Sequence, residues 1–116
     1  MIYYLVVGFK LFIETNIFKN KVDTLGDSDL LKKIQDEILK DPTKGDIVQG
    51  TGGLKKIRVA KKQSGKSGGY RVFYLDVLDK GIIYLMTILD KRDSENISDE
   101  EKVIFKEFVK KLKGGR

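Results

Sequence analysis

The chain has neither cysteine nor histidine. The first absence excludes disulfides and thiolate chemistry, and the second removes the imidazole base; together they remove the usual zinc ligands. Any catalysis must therefore come from Lys, Arg, Asp, Glu, Tyr or Ser. No apolar run reaches membrane-spanning length, so no membrane association is expected. The opening MIYYLVV lacks the basic start and small-residue cleavage site of a signal peptide, which makes the cytoplasm the expected compartment. At 116 residues the chain has the size of one domain with one modest core, taken to span 1–116.

Acidic residues are missing from one place in particular. Between Ile47 and Leu75 stand seven cations (Lys55, Lys56, Arg58, Lys61, Lys62, Lys66 and Arg71) and no carboxylate. The other 16 of the 23 basic residues face all 17 acidic ones, so the net +6 is the work of this segment. A solvated lysine-rich loop has the same composition, but so does a surface built for a polyanion. The Gly65-Lys66-Ser67 triplet inside the band is the tail of a phosphate-binding P-loop. Ala60 occupies the place of that motif's first glycine, and a strand follows where the motif requires a helix, so nucleotide binding is not the expected use.

Periodicity predicts the order strand, helix, helix, strand, strand, strand, helix. Residues 1–13 have the composition of one strand, or of a hairpin broken near Gly8. Ile17, Phe18, Lys21, Val22 and Leu25 recur at helical spacing, closed by Gly26. A second helix, capped by Asp27 or Ser28, carries Leu30, Leu31, Ile34, Ile38 and Leu39 and stops at Pro42, making an antiparallel helical hairpin. Residues 45–53 hold too much glycine for regular structure and lead into a strand over 54–60. There Leu54, Lys56, Arg58 and Ala60 share one face. The strands over 70–77 and 82–89 are joined by a turn at Gly81, the second being apolar enough for a central position. Ser98 and Glu101 form a capping box for a last helix, whose apolar face is read as Ile104, Phe105, Phe108, Val109 and Leu112.

On a meander of the last three strands, Lys56, Arg58, Arg71 and the exit pair Lys91-Arg92 can converge on one surface. Guanidinium groups hold two phosphate oxygens at once, and lysine supplies a mobile point charge, so such a surface suits phosphate and phosphoryl chemistry.

The blocks GDIVQGTGGLKKIR (45–58) and GKSGGYRVFY (65–74), with the Leu89-Asp90-Lys91 exit, resemble HigB toxins of the RelE superfamily, from about Phe9 to the last helix. The resemblance implies an α+β fold: a small twisted, mainly antiparallel sheet with an N-terminal helical hairpin and a C-terminal helix. It also implies a type II toxin that cleaves translated mRNA in the ribosomal A site, without metal or other cofactor. The 2′-hydroxyl attacks the adjacent phosphate, leaving a cyclic phosphate and a free 5′-hydroxyl. By position, Lys56 and Arg58 match the cations that activate the nucleophile and brace the phosphate. Arg71 matches the arginine that holds the scissile phosphate, and Lys91, or else its neighbour Arg92, the cation that assists the leaving oxygen. RNA binding is expected of Lys61, Lys62, Lys66 and Arg92. The C-terminal stacking tyrosine of some relatives is absent, which turns attention to Tyr70, Phe73 or Tyr74. Implied partners are a helix-turn-helix antitoxin of the HigA kind, the ribosome with its RNA, and mRNA. A non-catalytic relative that binds antitoxin, gyrase or nucleic acid is the alternative, against which the Lys56, Arg58 and Arg71 constellation argues.

Overall fold

Alternating and helical hydrophobic periods fold here into one sheet sandwiched between helices. A computed structural model of the protein describes residues 2–7, 10–61 and 69–114, of residues 2–7 and 78 the backbone only. The strands are β1 (Ile2–Val7), β2 (Lys10–Thr15), β3 (Asp46–Ile47), β4 (Lys55–Val59), β5 (Tyr70–Val77) and β6 (Ile82–Asp90); the helices are α1 (Asn16–Leu25), α2 (Leu30–Lys40) and α3 (Asp99–Leu112). The sheet order is β1-β2-β6-β5-β4-β3. Only β2 and β6 run parallel among these pairs, so the sheet is mixed and mainly antiparallel.

The first apolar run resolves into a hairpin, with Ile2 opposite Thr15 and Val7 opposite Lys10. Thr15 then ends β2 and caps α1. Its hydroxyl accepts from the Phe18 amide at 3.1 Å and donates to the Met86 carbonyl at 2.8 Å, which fixes α1 on the sheet. Gly26, at φ 70°, closes the helix as expected.

Two expectations need correction. Neither Asp27 nor Ser28 is the cap of α2: the Asp27 carboxylate accepts from the Asp29 amide, and its carbonyl accepts from Leu30, so these residues form a turn and the helix starts at Leu30. The glycine-rich segment also yields the two-residue edge strand β3, with Asp46 opposite Lys56. Glycine serves close approach there. A Cβ on Gly45 would lie 2.8 Å from the Tyr74 hydroxyl and 2.9 Å from Lys55 Cβ.

Alternate residues of β5 feed two cores. Val72 and Tyr74 join Phe12, Phe18, Ile34 and Ile38 beneath α1 and α2, while Phe73, Leu75 and Val77 join Leu54, Met86, Phe105 and Val109 beneath α3. Both faces of the sheet are thus covered, and β6 is central, as its apolar run predicted. In α3 the capping box at Ser98 and Glu101 is formed, a feature that contributes about 1 kcal/mol. Phe105 and Val109 are buried, with Phe108 and Leu112 packed beside them. Ile104 is the exception: one residue before Phe105 means a rotation of about 100°, and it stands exposed next to Val103. No helix among the described residues is long and apolar enough to cross a membrane.

Candidate active site

The α3-side face of β4 and β5 changes character along its length. Leu54 and Leu75 lie under α3, but further along β4 the same face carries Lys56 and then Arg58. Pairing register sets Arg58 directly opposite Arg71, and Lys56 opposite Phe73. Cross-strand partners point to the same side, so the two guanidinium groups share one patch. Like charges placed opposite each other are destabilising unless something anionic joins them.

Glycine makes the close packing possible. Gly69 has φ 131°, and a Cβ there would meet the Val59 carbonyl at 3.3 Å and Arg58 Nε at 3.7 Å. The Gly69 carbonyl accepts from the Lys91 amide at 3.1 Å, which draws the exit of β6 toward the start of β5.

The loop after β6 supplies an anion. Ile97, 4% exposed, anchors this loop in the core under α3, and Glu95 reaches the cations. Its carboxylate stands 3.2 Å from Arg71 Nη2 and 3.8 Å from Lys91 Nζ, and its carbonyl accepts from Lys56 Nζ at 3.5 Å. Lys56, Arg71 and Lys91 therefore converge on one residue, with Arg58 beside them. The Arg71 side chain is only 11% exposed, and its Nη1 is buried with no hydrogen-bond partner. Among the described residues no carboxylate lies within ion-pair distance of Arg58, whose side of the sheet opens to solvent.

A hollow of about 230 Å³ is lined by Asp46, Lys56, Ile57, Arg58 and Arg71. It adjoins a second of about 240 Å³ that shares four of these residues and adds Glu37, Lys44 and Gly45, making a trough along the β4 edge. Larger hollows lie beside Glu14 and Asp27, about 370 Å³, and between α1 and Ile88, about 330 Å³. Each has one lysine and at least two carboxylates, so neither suits a polyanion. Among the described residues no group of three or more acidic side chains is placed to hold a metal ion.

A family model for the RelE toxin of the RelE/RelB toxin-antitoxin system matches residues 10–115. The chain belongs to this toxin family. Strand β1 lies outside the matched span.

Two of the cations expected to contact RNA share one carboxylate in the toxin. Lys61 makes an ion pair with Asp90 at 2.8 Å and lies over the Tyr70 ring at 5.5 Å, and Arg92 meets the same carboxylate at 3.2 Å. Lys62 and Lys66 lie outside the described residues. The rings expected to stack lie in the interior of the free toxin: Phe73 and Tyr74 are fully buried and Tyr70 is 7% exposed, because both faces of β5 are covered. Tyr74 has a structural role, donating to the Pro42 carbonyl at 2.9 Å and accepting from the Gly45 amide at 3.3 Å. Burial is the main influence that pushes its hydroxyl pKa up.

Asp90 was quoted in the sequence without a role, and it organises this second cluster. Burial is the largest single influence on it and opposes ionisation. Hydrogen bonds from Lys61 and from the Arg92 backbone and side chain together outweigh it and hold Asp90 at about 2, below its ordinary 3.8. A depressed carboxylate pKa contributes stability that is complete above the unfolded value and is lost as pH falls through the folded one. The melting temperature of wild type should therefore exceed that of Asp90→Asn at pH 5 to 7. That gap should close between about pH 4 and pH 2. A gap independent of pH over that range would mean the carboxylate's charge is not what stabilises the cluster.

Glu95 and Asp46 were missed. Glu95 sits four residues after Lys91, a spacing that carries no signal in an irregular loop, and Asp46 lies inside a block read for its glycines.

Proposed function

We propose that this toxin is a HigB-type, ribosome-dependent endoribonuclease that cuts translated mRNA in the ribosomal A site, acting as one domain over 1–116 in the cytoplasm. The observation that carries the reading is the convergence of Lys56, Arg71 and Lys91 on Glu95, with Arg58 in register opposite Arg71. Four cations, Lys56, Arg58, Arg71 and Lys91, set against the carboxylates of Glu95 and Asp46, form a phosphate site in which charge that grows in a transition state is stabilised.

In this reading the RNA phosphate takes the place between Arg71 and Arg58. The 2′-oxygen bonds to phosphorus and gives up its proton with the help of Lys56; the bond from phosphorus to the 5′-oxygen breaks. Lys91 assists that oxygen as it takes a proton, leaving a 2′,3′-cyclic phosphate and a free 5′-hydroxyl. Arginine is suited to the pentacovalent state because its fork holds two oxygens at fixed spacing. The ribosome supplies what the flat trough lacks, an ordered message and base contacts, consistent with the burial of Tyr70, Phe73 and Tyr74. A helix-turn-helix antitoxin of the HigA kind completes the pair.

The test is expression in bacteria without the antitoxin, with 5′ ends mapped by primer extension on a translated message and on a twin lacking its start codon. Cuts are expected on the first alone. Growth arrest with both messages intact would replace the nuclease by a toxin that only binds.

A further inference from the structure

Asp46 and Glu37 line the trough beside its cations, and a third side chain with the wrong charge for RNA reaches those cations from the loop after β6. Glu95 belongs to no helix or strand, is 58% exposed, and still makes contact with three separately positioned cations. Its loop is built to bring it there: Ser94 Oγ donates to the Asn96 carbonyl at 2.6 Å, the Ile97 amide donates to Asn96 Oδ1 at 2.9 Å, and Lys91 is tied to Gly69. A carboxylate between an arginine and a lysine offers the same paired acceptor oxygens as a phosphate. Lys56, Arg58 and Arg71 would repel one another without it.

We infer that Glu95 is an internal phosphate mimic: it holds Arg71 and Lys91 converged in the free toxin and must be displaced when an RNA phosphate enters. The inference rests on the phosphate-site reading above, and makes Glu95 a positioning residue that acts through Arg71 and Lys91. Its exposure matters, because a half-exposed carboxylate can swing into water at little cost, whereas a buried one would leave an unpaired charge behind.

The test is fluorescence anisotropy of a short 2′-O-methyl RNA, which the toxin can bind but not cleave, with wild type, Glu95→Gln and Asp93→Asn. Asp93 lies in the same loop and makes no ion pair among the described residues, so its replacement reports the effect of losing one charge in general. Glu95→Gln is expected to bind about fivefold more tightly than wild type, the size of one exposed ion pair. The slope of log affinity against log salt should steepen by about 0.7, because in wild type the displaced carboxylate takes up a salt cation that offsets one released from the RNA. Asp93→Asn should change affinity by less than about twofold. Equal tightening by both variants, or unchanged or weaker binding by Glu95→Gln, overturns the inference. So does a loss of turnover on ribosomes at unchanged RNA affinity, since that outcome belongs to a group acting on the proton. Because the probe cannot be cut, none of the binding outcomes depends on whether the toxin is a nuclease. Failure of that reading would appear instead as absent cleavage with this binding pattern intact.

Discussion

Arg71→Ala is expected to lower cleavage of a translated message by about 10²- to 10³-fold, the typical loss when one preorganised donor to a charged transition state is removed. Two features of Arg71 support so large an effect. Its side chain is only 11% exposed and its Nη2 is held toward the patch by Glu95, so the fork enters the reaction already confined. Its position is also fixed from both sides, by Arg58 across the β4–β5 ladder and by Gly69 before it. Arg71→Lys is expected to recover little, because a point charge cannot span two phosphate oxygens. The fold should survive either change. The ion pair lost is with the half-exposed Glu95, and such pairs contribute at most about 1 kcal/mol. Single-turnover cleavage on ribosomes programmed with a short message, together with a thermal melt, separates the two effects. A folded Arg71→Ala protein that cleaves within about threefold of wild type would remove Arg71 from the reaction.

The parts of this toxin that were legible in sequence are those set by neighbours along the chain. The capping box at Ser98 and Glu101, the turn at Gly81 and the apolar run of β6 each lie within a few residues, and each formed as read. The charge segregation between Ile47 and Leu75 was legible too, since it needs only counting. What escaped depends on distance across the sheet. Glu95 meets Arg71 from 24 residues away and Lys56 from 39, and no local pattern marks such a contact. Burial was misjudged for a related reason. Tyr70, Phe73 and Tyr74 alternate along β5, so on a sheet covered on one side some of these rings would have faced solvent. Because α3 covers the second face, both sets of alternate residues are buried. Ile104 shows the reverse error: it is apolar and adjacent to the α3 stripe, yet it points to solvent.

Replacing Phe73 by alanine is expected to cost about 3–5 kcal/mol of folding stability, a large share of the 5–15 kcal/mol typical of a domain. Phe73 is fully buried in the core under α3, where it packs with Leu54, Met86 and Phe105. It also sits at the register shift in β5–β6, opposite Thr87, with Tyr74 opposite Leu85. Met86 is the extra residue there, so a cavity at Phe73 would loosen the bulge as well as the core. Urea denaturation measures the loss directly. A second variant, Phe73→Leu, keeps most of the apolar volume and no aromatic face, and is expected to cost far less. The pair distinguishes a core ring from one that stacks on RNA. If the ring only packs, Phe73→Leu keeps cleavage per folded molecule close to wild type, and Phe73→Ala loses activity only in proportion to the fraction unfolded. If the ring leaves the core to meet a base on the ribosome, both variants lose cleavage by a similar factor while Phe73→Leu stays folded. The second result would mean that β5 opens on the ribosome. Lys56, opposite Phe73 in the ladder, would then move with it, and the cation geometry of the free toxin would not be the geometry that cuts.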